Sequence, residues 1–342
     1  MVKNFKRRML IGAALLIFIG AFAGCGSQPS ATPAATTPAA TSNANGGNEN
    51  TPSPETGSEK ETITVQDVKG EVEIPANPQK VVDLSGNSDV LHILGYSVVG
   101  TANSDAYDYT RLPSFLEDVL ADAKIVGFSY QDTMDIENIL PLEPDLIILS
   151  TRQEKMYDQL KEIAPTVMIE LAQIDWEEDL MTVAKIFNKT GEAQAWLDKY
   201  HEKAAAAGKQ LQAQYGEDTS YLSFLASGGQ LYVFDAAGVG SLLYTDMGLK
   251  KPDGMPQQEN VSLPVITYEG LAAIDADYII VLAQEEDLTA LKENAIWNKL
   301  PAVIAGNVVE LPSSPYFNQV YSSIGRDLFL DEIGTLLEQT AK

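Results

Sequence analysis

Cysteine and histidine are almost missing from this chain: one Cys and two His occur in 342 residues. A single cysteine forms no intrachain disulfide and no multi-thiolate metal site. His92 and His201 fall in separate helical patterns, which argues against a direct metal site; haem would need an axial ligand, for which His92 is a candidate. Cations are scarce too, with 23 Lys and Arg against 48 Asp and Glu and a formal charge of -25. A surface this acidic repels nucleic acid, so an anionic ligand must be met by a few local cations. Also missing are a phosphate-cradling G-x-x-x-x-G-K-[ST], a G-x-S-x-G elbow and an H-E-x-x-H helix, so no enzyme class announces itself. The acidic clusters at 176–179 and 285–287 read as solvated faces.

What is present begins with an export leader. Lys3, Lys6, Arg7 and Arg8 precede an apolar run over 9–23, about 15 residues, short of the roughly 20 that span a membrane. Phe22-Ala23-Gly24-Cys25 resembles a lipobox, in which the leader (1–24) is removed and Cys25 lipidated, giving a stable membrane anchor. Residues 25–61 are Ser, Thr, Pro, Ala, Asn and Gly with few apolar side chains, the composition of a flexible tether.

Beyond the tether, one long helical pattern divides two similar halves. Residues 191–215 are rich in Ala, Gln, Lys, Glu and Leu with no proline, enough for a helix of roughly 35 Å. The segments 136–149 and 268–281 align without a gap, pairing Glu137 with Glu269 and Asp145 with Asp277 ahead of apolar strand-like runs. The spacing predicts an N-terminal lobe over 62–175, a helical bridge over 176–216 and a C-terminal lobe over 217–342. The fold class is α/β, with two central, largely parallel sheets joined by a single long helix. Hairpins are expected at 62–74, around Gly70, and at 221–234, around Gly228-Gly229. Helices are expected at 89–94, 135–140, 154–163, within 238–248, at 288–300 and at 322–337, with a loop at 313–317.

Asp135-Ile136-Glu137-Asn138-Ile139, Pro144-Asp145-Leu146-Ile147-Ile148 and Thr151-Arg152-Gln153 with 157–165 are the stretches that carry a family likeness. From Cys25 onward the chain resembles the ABC-transporter substrate-binding lipoproteins that handle ferric siderophores, haem and cobalamin. The resemblance implies a ligand cleft between lobes, small hinge motion, and an extracytoplasmic, lipid-anchored site on the cell membrane of a Gram-positive type. It implies no cofactor, an iron(III)-siderophore as ligand, and a permease with its ATPase as partners. Glu137 and Glu269 would dock on permease arginines; as plain residues they are equally acids favoured at helix N-termini.

Arg152, just past a strand's carboxyl end, is the leading cleft candidate, since its rigid donor fork suits anionic oxygens. Its alternative is a surface ion pair with Glu154 or Asp158. Arg326 and Arg111 follow, with Asn87 in the turn after the first buried strand. Tyr107, Tyr109, Tyr130, Tyr232, Phe234, Tyr316 and Phe317 lie in or beside loops, where an aromatic either lines a cleft or packs a lobe. Catecholate binders of the resembled family carry further cations near the positions of Val239 and Gln284, which here are uncharged. A hydroxamate or citrate-hydroxamate iron complex is therefore favoured over a catecholate. Haem or cobalamin binding in the same fold is the alternative, and a non-transport surface lipoprotein or an enzyme the alternative of another class.

Overall fold

The computed structural model describes residues 61–340. The expected leader (1–24), Cys25 and all but the last residue of the expected tether (25–61) lie outside the described residues. A hairpin of β1 (Thr62–Asp67) and β2 (Gly70–Pro75) opens the fold, its alternating side chains covering one edge of the first lobe.

Five strands form the first sheet: β3 (Val81–Asp83), β4 (Val98–Thr101), β5 (Lys124–Ile125), β6 (Leu146–Ser150) and β7 (Thr166–Ile169). Their order is β5-β4-β3-β6-β7, and every neighbouring pair is parallel. Both faces are covered, which is why β3, β6 and β7 are buried end to end rather than alternating. Helices α1 (Ser88–Ile93) and α2 (Tyr157–Leu160) belong to this lobe.

The bridge is two helices, α3 (Trp176–Ile186) and α4 (Thr190–Tyr215), separated where Asn188 takes a positive φ of 54°. At 26 residues, α4 is roughly 39 Å long. Its buried stripe is shared. Ala193 and Leu197 belong to the first lobe's core, Tyr200, Ala204 and Leu211 to the second's, and Trp196 packs against both.

The second sheet contains β8 (Tyr221–Ser227), β9 (Gln230–Val233), β10 (Val265–Ile266), β11 (Tyr278–Ala283) and β12 (Val308–Pro312). Its order, β10-β9-β8-β11-β12, matches the first sheet position for position, β8 standing for β3 and β11 for β6. The lobes differ in direction: β9 runs antiparallel to β8 and β10. The cause is local. Gly228 and Gly229, both at positive φ, close a two-residue turn, and so short a connection makes only an antiparallel neighbour. Helices α5 (Gly238–Ser241), α6 (Tyr268–Ala272), α7 (Glu285–Glu293), α8 (Pro301–Ala305), α9 (Ser313–Gln319) and α10 (Ser323–Glu338) complete the lobe.

Several elements differ from the sequence expectation. The helix anticipated at 135–140 is a pair of 3-10 turns, Ile136–Asn138 and Leu140–Leu142, the second containing Pro141, whose nitrogen cannot donate an α-helical bond. The one at 154–163 starts as a 3-10 run, Thr151–Met156, before α2. In the 238–248 stretch α5 passes into a π-helical turn, Leu242–Asp246. The expected loop at 313–317 is α9. The expected 288–300 helix is α7 and a 3-10 turn, Trp297–Lys299.

Candidate functional site: a cleft between the lobes

Asp83, at the end of β3, is fully buried and organises the first wall of a cleft. Its carboxylate accepts from Ser85 N (3.0 Å), Ser85 Oγ (2.6 Å), Asn87 N (2.9 Å) and Ser88 Oγ (2.7 Å). These bonds turn the chain sharply at Gly86, whose φ is +90° and where a Cβ would sit 2.7 Å from the Ser129 side chain. Asn87 is thereby set on the cleft edge, at the carboxyl end of a parallel sheet, where open α/β sheets bind ligands. The cavity holds about 480 Å³, within the range of small-molecule sites.

Aromatic rings continue this wall. Tyr109 stacks on Phe128 at 4.6 Å, Phe128 meets Tyr130 at 5.5 Å, and the Arg152 guanidinium lies 5.1 Å over the Tyr130 ring. Arg152 Nη2 also donates to Gln173 Oε1 at 3.3 Å. Glu154, its proposed surface partner, pairs with Lys69 instead. Of the three arginines among the described residues, Arg152 alone enters no ion pair, so a cation with unspent donors faces the cleft.

The floor is built by Trp176 and Arg326. Arg326 is 1% exposed, and all five of its N–H groups are spent inside the protein. Nε donates to the Tyr200 hydroxyl (3.3 Å), Nη1 to the carbonyls of Gly238 (3.3 Å) and Val320 (2.8 Å), and Nη2 to Ser241 Oγ (3.1 Å) and Asp246 Oδ2 (2.5 Å). Its flat face lies 4.9 Å from the Trp176 ring. Arg326 borders the cleft but keeps no donor for a ligand; its role here is to hold Trp176 in place.

The acidic cluster at 176–179, read from sequence as a solvated face, divides in the structure. Glu177 pairs with His201, whereas Asp179 lines the cleft beside Trp176. Asp179 accepts from Ala172 N (2.5 Å) and Gln173 N (3.0 Å), fixing a loop in which Gln173 takes a φ of 61°. Burial pushes its carboxyl up to about 6 against those two bonds, and Asp175 and Glu178 add repulsion.

Asn87, Tyr130, Arg152, Phe317 and Arg326 thus meet around one cavity. The other candidates lie elsewhere. Arg111 pairs with Asp105 and Asp108 and donates to Ser314 across the lobes at 3.1 Å. Tyr107 packs edge-on to Phe317 at 6.3 Å. Tyr232 donates to Gln230, Phe234 is wholly inside the second core, and Tyr316 donates to Glu332 at 3.0 Å. Residues not singled out from sequence, Trp176, Asp179, Phe128 and Tyr321, also line the cavity. Polar contacts also join the lobes: Ser322 Oγ donates to the buried Asp89 at 2.6 Å, and Asn318 Nδ2 to Ser104 O at 3.1 Å. Among the described residues no group of three or more His, Cys, Asp or Glu is placed to hold a metal ion.

Residues 86–315 match the family described as periplasmic binding protein. The chain belongs to that family. Its members are binding proteins, and neither the family nor the relatives below are enzymes. The chain is similar to the iron(3+)-hydroxamate-binding protein FhuD of Bacillus subtilis (strain 168), 29% identical over 339 residues, 94% of this chain and 96% of the relative. It is 28% identical over 274 residues to the probable siderophore-binding lipoprotein YfiY of the same strain, covering 74% and 81% of the two chains. In fold it is similar to the FhuD protein from S. pseudintermedius, with a TM-score of 0.66, 24% identity, and 82% and 100% of the two chains covered.

In this periplasmic binding protein Glu137 and Glu269 occupy equivalent places. Glu137 sits in the 3-10 turn capped by Asp135 and leading to β6; Glu269 sits in the first turn of α6, capped by Thr267 and leading to β11. Both are exposed, and neither enters an ion pair among the described residues.

Proposed function

We propose that this protein captures a ferric siderophore of low net charge, of the hydroxamate or citrate-hydroxamate type, outside the cell and delivers it to an ABC importer. The observation that carries the reading is the cleft itself, sized for a small chelate, with mainly apolar walls and one arginine free to meet anionic oxygens. A highly anionic catecholate complex would find one available cation and one carboxylate there, which disfavours it. The name of the iron(3+)-hydroxamate-binding relative supports the same class.

The exposed Glu137 and Glu269 are assigned to docking on a permease coupled to its ATPase, because a transporter with two similar halves can read two equivalent acids. Cys25, lipidated after removal of the leader, would hold the protein at the outer face of the cell membrane. Titration of the purified protein with ferric hydroxamate, citrate and catecholate complexes, haem and cobalamin, followed by tryptophan fluorescence, tests the assignment. Trp176 at the cleft floor makes quenching by the bound chelate the expected signal. Saturable binding of haem or cobalamin in preference to every ferric siderophore would replace it.

A further inference from the structure

Capture of an iron chelate as outlined above draws on Arg152 and leaves Asp179, which holds the 171–173 loop, with acceptor capacity to spare. Each oxygen of Asp179 accepts a single backbone N–H, from Ala172 and Gln173, whereas an ionised carboxylate has about four acceptor sites. No ion pair among the described residues includes it. The groups that act on it are few. Asp175 and Glu178 at the start of its own helix repel it, and the Tyr130 phenol feels both Asp179 and Arg152. Arg326 is neutralised by Asp246 beneath Trp176. Leu171, Ile174 and Trp176 make the nearby wall apolar. A carboxylate kept ionised in such a wall lacks compensation, which a cation arriving with the ligand would supply.

We infer that Asp179 is a specificity determinant that selects iron chelates bearing a free ammonium group, accepting its hydrogen bonds while Arg152 engages an anionic oxygen of the same ligand. The inference rests on the iron-chelate reading of this cleft. Because the Asp179 carboxyl titrates at about 6, the selection holds at neutral pH and fades as that group takes up a proton.

The decisive comparison uses two ferric trihydroxamates that differ only at the end of the chain: ferrioxamine B, with its primary ammonium, and the N-acetylated form. At pH 7.5 the ammonium form is expected to bind about tenfold more tightly, the scale of a charge-assisted hydrogen bond. The ratio should fall toward one at pH 5, and toward one in Asp179→Asn at pH 7.5. The pH series on the native protein decides the matter should the variant fold poorly. Equal affinities at pH 7.5, or a preference indifferent to both pH and substitution, would overturn the role of Asp179 while leaving iron-chelate capture standing. Binding of neither chelate, nor of any other ferric siderophore, would remove both.

Discussion

Asp145 and Asp277 perform the same task in the two lobes. Asp145 accepts from the backbone of Gln79 and Lys80, just ahead of β3, at 2.9 to 3.2 Å. Asp277 accepts from the backbone and hydroxyl of Ser220, just ahead of β8, both at 2.8 Å. Each carboxylate ties the start of the central strand to its neighbour, so the repeat in sequence is a repeat in structure. Glu137 and Glu269 inherit that equivalence. Replacing both with alanine should leave chelate affinity unchanged in a fluorescence titration and abolish transport in a radio-iron uptake assay. Loss of affinity instead would place them in the cleft.

Arg152→Ala removes the cleft's unpaired arginine. Affinity for an anionic ferric chelate should fall by about 1–3 kcal/mol, as for a charged hydrogen-bond partner. The melting temperature should scarcely move, since the side chain is exposed and held only by Gln173 and the Tyr130 ring.

Asp246→Ala should act on stability. It leaves the guanidinium of Arg326 buried without its counter-charge and takes an acceptor from the Tyr200 hydroxyl. Breaking a buried pair on one side costs about 3–5 kcal/mol, measurable by urea unfolding. The double substitution Asp246→Leu with Arg326→Met should recover much of the loss.

Stability should depend on pH through Asp179. Its native carboxyl titrates at about 6 against an ordinary value of 3.8, so between those values the folded state holds the extra proton. The contribution of this group is complete below 3.8 and is lost as pH rises through 6. It amounts to on the order of 2 kcal/mol between pH 4 and pH 7. Unfolding free energies measured across that interval should show a smaller decline in Asp179→Asn than in the native protein.

Gly208 lies where α4 packs against the end of the π-helical turn at Met247. A Cβ there would sit 1.8 Å from the Met247 carbonyl oxygen, so Gly208→Ala forces the helix or the π-helical turn to shift. A loss of about 1–3 kcal/mol is expected in thermal or urea unfolding.

Much of the frame was legible because it is written in local patterns. The buried runs of β3, β6 and β11, the glycine turns and the proline-free stretch of α4 each carry their own signal. Among the cleft candidates, Asn87 and Arg152 carried a local signal of their place, since each follows a strand at the sheet's carboxyl end. Arg326 shows why the rest was not legible: its five acceptors come from Tyr200 on α4, the continuous α5 and π-helical stretch and Val320 just before α10, three segments that only the fold brings together. Asp179 has the neighbours of a surface acid, and only the folding back of residues 171–173 brings it into the cavity. Phe234 follows a strand much as Arg152 does, yet points into the core. Spacing alone does not tell those two apart.

The shared stripe of α4 makes the halves inseparable. A fragment ending after α4 would carry Tyr200, Ala204 and Leu211 bare to water, and one starting at β8 would lose the surface that shields its own sheet. Neither half could be expressed as a miniature receptor, and a gene fusion or permutation would have to spare the helix whole.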